Sequence, residues 1–96
     1  MSNTYVLKFR EYVELLVAEM SLHLATFAVE GLYGAARVRL DIGYHVDESG
    51  RVIVIDGSSK VGKALTCVFA NLLLREFGDD AFRVVRAQHQ PQEVAA

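Results

Sequence analysis

Between Val6 and Glu30 the chain has neither glycine nor proline, and its apolar residues recur at helical spacing. One stripe runs Phe9, Tyr12, Val13, Leu16, Met20, Leu24 and Phe27, a broad face suited to packing on a core. A second stripe, nearly opposite, runs Leu15, Ala18, Leu22, Ala25 and Val29 at alternating intervals of three and four. That alternation is the seam of a helix pair, and its alanines permit close approach of another helix. The pattern predicts one long helix, with a break at Ser21 as the alternative, since Ser21 can cap a second helix. Gly31 and Gly34 are expected to end the element.

Arg37–Val46 alternates: Val38, Leu40, Ile42, Tyr44 and Val46 face one way, and Arg37, Arg39, Asp41 and His45 the other. This predicts a half-buried strand. Asp47-Glu48-Ser49-Gly50 reads as a turn with positive φ at its glycine, and Arg51–Asp56 as the returning strand. Ser58 or Ser59 is placed to cap a helix from Lys60 to Phe77. Its main face carries Val61, Leu65, Val68, Phe69, Leu72 and Leu73. The other side carries Lys63, Thr66, Cys67, Ala70 and Leu74, less charge than a solvated face normally has. Gly78 stops this helix and Ala81–Ala87 forms a third strand, reached by a right-handed crossover. The strand can lie beside the hairpin strand it parallels or against the opposite edge.

The elements add up to an α+β fold: a small single domain over residues 1–87, helix–β-hairpin–helix–strand, with helices packed on a three-stranded sheet. Residues 88–96 lack periodicity and are expected to form a flexible tail.

Composition changes the picture in one respect. A chain of 96 residues has a large surface for its volume, and 52% apolar residues exceed what one small core accommodates. A shared interface relieves the excess, and the residues assigned to it are Leu15, Ala18, Leu22, Ala25 and Val29 of the first helix with Cys67, Ala70 and Leu74 of the second. The formal net charge of -2 gives no general reason to expect nucleic acid or anionic membrane as partner. Cys67, the single cysteine, forms no internal disulfide, in keeping with a reducing compartment. Charges scattered through the N-terminal residues argue against a cleavable leader. Glu14, Glu19, His23 and Glu30 interrupt the longest apolar stretch, so no membrane span is expected and a cytoplasmic location is.

The clearest motif is Gly57-Ser58-Ser59-Lys60-Val61-Gly62-Lys63, which follows an apolar strand and opens a helix. Its spacing resembles the phosphate-binding loop of nucleotide hydrolases. The resemblance implies an anion site formed by Gly57, Ser58, Ser59, Lys60, Gly62 and Lys63, where helix N–H groups and lysines attract phosphate. Ala64, however, stands where that loop needs a hydroxyl to hold Mg²⁺, and Asp56 adds negative charge just before it. A plain helix cap explains the same residues. The Gly-x-x-Gly at Gly31 and Gly34 also occurs in the RNA-binding KH domain, but there it joins two helices, whereas a strand is expected here.

Other chemistry is sparse. His45 and Asp47 share a strand face and lack further metal ligands at fixed spacing. His23 lies near the core stripe, and Cys67 has no identifiable base. Arg37, Arg39, Arg83 and Arg86 form a basic patch only if they share a face, and no aromatic interleaves with them. No catalytic constellation, metal site or cofactor is expected. The sequence therefore points to a homo-oligomeric interaction module, an adaptor, assembly or structural component. The alternative is a module that binds a phosphorylated ligand or nucleic-acid backbone at Gly57–Lys63.

Overall fold

The computed structural model describes residues 2–89. Seven elements follow in order: β1 (Ser2–Phe9), α1 (Leu15–Tyr33), α2 (Ala35–Asp41), β2 (Tyr44–Asp47), β3 (Val52–Asp56), α3 (Lys60–Phe77) and β4 (Phe82–His89). The α+β class and the helix-on-sheet arrangement are as expected, but the sheet has four strands, in the order β2-β3-β1-β4, all neighbours antiparallel. Leaving α2 aside, this is the split β-α-β pattern of ferredoxin-like topologies. Each crossover helix links two strands of like direction with a third inserted between them. Thus β4 runs parallel to β3 but pairs with β1, which stands between them.

β1 is the strand that the helical reading of Val6 onward passed over. Its residues alternate: Tyr5, Leu7 and Phe9 face the helices, with Leu7 wholly and Phe9 nearly buried, and Thr4, Val6 and Lys8 face away. The turn from Arg10 to Glu14 contains no glycine or proline, so nothing local marks the end of the strand. Distant groups hold it instead. The Arg51 guanidinium donates to the carbonyl oxygens of Arg10 (2.7 Å) and Val13, and Arg10 Nε donates to the Asp80 carbonyl at 3.0 Å.

α1 is a single helix, unbroken at Ser21, which is buried inside it. It runs through Gly31 and ends at Gly34, whose φ of 90° lies in the region glycine tolerates. Its two apolar stripes are exchanged relative to expectation. Ala18, Leu22, Ala25 and Val29 are completely buried and Leu15 is half-buried, so the seam assigned to a partner is this domain's own core. The large residues assigned to the core, Tyr12, Leu16, Met20, Leu24 and Phe27, are 60–69% exposed; Val13 and Phe9 are the members of that stripe that stay inside. Volume is the reason. Leu7, Ile53 and Ile55 from the sheet and Leu65, Phe69 and Leu73 from α3 already fill the space between the layers, leaving room for the small residues of α1.

The segment read as the start of the hairpin is also different. Ala35–Asp41 is a short helix carrying an exposed Arg37–Asp41 ion pair at 3.4 Å, and Leu40, expected to face inward, is 84% exposed while Val38 is buried. The strand proper is β2, paired with β3 from Tyr44↔Ile55 to Asp47↔Val52. In the turn between them the positive φ falls on Arg51 (57°) rather than on Gly50. Gly50 instead makes space for the Asp47 carboxylate, whose Oδ2 lies 2.9 Å from where a Cβ would stand. β4 continues through Gln88 and His89; residues 90–96 of the expected tail lie outside the described residues.

Candidate functional site

The turn that opens α3 closes on itself. Ser59 is the N-cap, its Oγ accepting from Gly62 N at 2.9 Å. Gly57 N donates to Asn3 O at 2.8 Å, and Ser58 N donates to Asp56 Oδ1 at 3.0 Å. The Asp56 carboxylate is thereby held in the turn just ahead of the helix, where it adds negative charge near the helix N-terminus. The two glycines of the motif also have packing reasons. A Cβ on Gly57 would collide with the ring of Tyr5, and one on Gly62 with the backbone carbonyl of Asp56. Lys60 and Lys63 are exposed, Ala64 is half-buried, and the buried Thr66 hydroxyl donates to Gly62 O at 2.9 Å, within the helix.

The remaining polar candidates are dispersed. His45 and Asp47 lie on the sheet face turned away from the helices, because they pair with Val54 and Val52 rather than facing with Ile53 and Ile55. Cys67 is exposed on α3, which packs on the opposite face of the sheet, and its neighbour is Asn71 Nδ2 at 4.0 Å. These three side chains share no pocket. His23 is exposed rather than in the core, with Nε2 3.5 Å from Tyr44 Oη. Among the described residues no group of three or more His, Cys, Asp or Glu is arranged to hold a metal. Asp47 has its carboxyl held below the usual carboxylate range by the N–H of Gly50 and the hydroxyl of Ser49, with His45 adding a smaller effect.

The arginines do not form one patch. Arg37 lies on α2 over the Tyr33 ring, 5.5 Å from its centroid. Arg83 and Arg86 emerge on opposite faces of β4, paired with Lys8 and Tyr5. A cleft of about 360 Å³ beside Phe82 carries Lys8, Arg10, Arg83, Asp79 and Asp80, so both signs of charge line it.

What the fold does leave unpaired is apolar surface on the outside of the helix layer. Tyr12, Leu16, Met20, Leu24 and Phe27 line the outer side of α1 and the loop before it, while α3 exposes Cys67 and leaves Leu74 43% exposed and Ala70 half-buried. Together these residues make one continuous exposed apolar face, the kind of patch that marks an interaction site. The same helix, Leu15–Tyr33, is long and apolar enough to cross a membrane by length and composition, with a mean hydropathy of 1.4, although its inner face is built into the core. That differs from the sequence expectation because Glu19 and Glu30 are the only charges inside the helix proper. Comparison with protein-family models, curated proteins and solved structures finds no match for this chain.

Sequence reasoning found both stripes of α1 and missed which one points outward. The signal present was size: the inner stripe is interleaved with alanine and serine, the outer with leucine, methionine and phenylalanine.

Proposed function

We propose that the protein is a homo-oligomeric interaction module, with no catalytic chemistry of its own, that associates with a second copy through the outer face of α1. The observation carrying this reading is the exposure of Leu16, Met20, Leu24 and Phe27 along one side of a rigid helix. Leu16 and Phe27 are disposed about evenly around Ser21 and Leu22, as are Met20 and Leu24. An antiparallel two-fold pairing of α1 with its copy therefore sets large side chains against large ones, an isologous interface. α3, which packs beside α1, adjoins this face with Cys67 and Leu74 exposed.

The membrane surface is the competing occupant of an apolar helix face. Helices that lie in a bilayer interface carry Lys and Arg on their polar side. α1 has none from Leu15 to Tyr33, and its charges are Glu19 and Glu30. A protein partner of matching shape suits that face better.

Sedimentation velocity at tens of micromolar tests the reading. The wild type is expected to sediment as an assembly, and Leu24→Glu to reduce its mass while leaving the far-UV circular dichroism unchanged. A monomeric wild type, or a mass insensitive to Leu24→Glu, overturns it. Co-sedimentation of wild-type monomer with neutral vesicles, lost in Leu24→Glu, would assign the face to lipid instead.

A further inference from the structure

The sheet has a second face, and its side chains form three cross-strand rows. The pairing registers place Asp47, Val52, Lys8 and Arg83 in one row, His45, Val54, Val6 and Val85 in the next, and Asp56, Thr4 and Ala87 in the third. All project away from the helices, since their neighbours Leu7, Ile53 and Ile55 project into the core. The middle row is apolar across the three strands β3, β1 and β4. Acids stand on the β2–β3 side of the face, at Asp47 and Asp56, and bases on the β1–β4 side, at Lys8 and Arg83.

We infer that this open sheet face is a second interface between copies of this chain, stacked about a two-fold axis that runs parallel to the strands between β3 and β1. That axis lays β2 of one copy over β4 of the other and β3 over β1. Each row then meets its own reverse. Asp47 comes opposite the other copy's Arg83, Val54 opposite Val6, His45 opposite Val85, and Asp56 opposite the hydroxyl of Thr4. Aligned sheets pack in this way with their strands about 30° apart.

The charges select this axis. A two-fold perpendicular to the strands would bring the Asp47–Arg83 row over the Asp56–Ala87 row, leaving Arg83 opposite Ala87 and Asp47 opposite no charge. The domain also sets Lys8 directly opposite Arg83 across β1 and β4, like charges that a further acid relieves in addition to the Asp79 and Asp80 that share their cleft. Asp47 is ready to supply the counter-charge. Its Oδ1 takes both turn hydrogen bonds, from Ser49 and Gly50, which leaves Oδ2 outside those bonds. The stems of Lys8 and Arg83 add apolar cover over Val52 and its neighbours. Single-stranded nucleic acid suits the face poorly, because stacking aromatics are absent from the three rows and two acids, Asp47 and Asp56, stand among them.

This interface is independent of the one on α1 and lies on the opposite side of the domain. The test is made in the Leu24→Glu background, where the α1 contact is removed. Sedimentation velocity at tens of micromolar is expected to give a dimer. Adding Arg83→Asp, or separately Asp47→Arg, is expected to halve the mass. Mixing those two monomeric chains in equal amounts is expected to restore the dimer, because every 47–83 contact is then between opposite charges. A monomer in the Leu24→Glu background overturns the inference, as does a dimer indifferent to Arg83→Asp or a mixture that stays monomeric. Arg83 takes no part in a turn, so its variant decides the matter should Asp47→Arg disturb the hairpin. If Leu24→Glu leaves the wild-type mass unchanged, the α1 reading fails alone, and the same charge reversals in the wild-type background still test the sheet. Oligonucleotide binding by a monomer, abolished by Arg83→Asp, would give the face to nucleic acid and overturn the inference.

Discussion

The Cδ2–Cε2 edge of the Tyr5 ring occupies the space in which a Cβ of residue 57 would stand. β1 and the start of α3 meet there, and Gly57 N donates to the Asn3 carbonyl one strand over. The glycine that makes this segment look like a phosphate loop is thus required by an aromatic ring of the protein itself.

Gly57→Ala is therefore expected to destabilise the fold by about 1–3 kcal/mol through overpacking. Tyr5→Leu in the same chain should recover part of that loss, and a double-mutant cycle from urea unfolding measures the coupling. Gly62→Ala should cost more than Gly57→Ala, since it meets the backbone of Asp56, which has less freedom to move than a ring.

The two stripes of α1 are expected to respond oppositely to a carboxylate. Ala25→Glu buries an uncompensated charge in a fully closed site, a cost of several kcal/mol against a total stability of about 5–15 kcal/mol for such domains. Loss of the cooperative thermal transition is the expected result. Leu24→Glu, one residue away on the exposed side, should keep the transition and lower only the mass.

Acid should weaken the β2–β3 hairpin through Asp47. Its carboxyl is held below the usual carboxylate range because Gly50 N–H and the Ser49 hydroxyl bind the ionised form. The stabilisation is fully present above the unfolded pKa and fades as pH falls through the lower, folded one. Asp47→Asn should flatten the dependence of unfolding midpoint on pH below about 4. An equal slope in wild type and variant would show that another carboxylate sets it.

Ser59→Ala should cost about 1 kcal/mol, the usual value of an N-cap, by freeing Gly62 N. Inorganic phosphate and nucleotides should leave the melting temperature of the wild type unchanged, because the Asp56 carboxylate, bonded to Ser58 N, sets negative charge beside the turn. A clear rise in melting temperature with phosphate, lost in Lys63→Glu, would restore the anion-site alternative.

The parts of the fold legible in the sequence are those whose signals are local. The β2–β3 hairpin is specified by the Asp47–Gly50 turn and the apolar run that follows it, α3 by its cap at Ser59 and its stop at Gly78, and the single long α1 by its uninterrupted period. Three features depended on tertiary structure. β1 ends at Phe9 because Arg51, some forty residues on, binds the carbonyls of Arg10 and Val13 in place of turn residues. Ala35–Asp41 coils despite its strand-like alternation, burying Val38 in the core against the other helices. The inward face of α1 was settled by volume: periodicity shows that Ala18, Leu22 and Ala25 share a side and that Leu16, Met20 and Leu24 share another, but both sides are apolar. Which one enters the core depends on how much space Phe69, Leu65 and Ile55 leave between the layers, and that is a property of the packed molecule rather than of any segment of the chain.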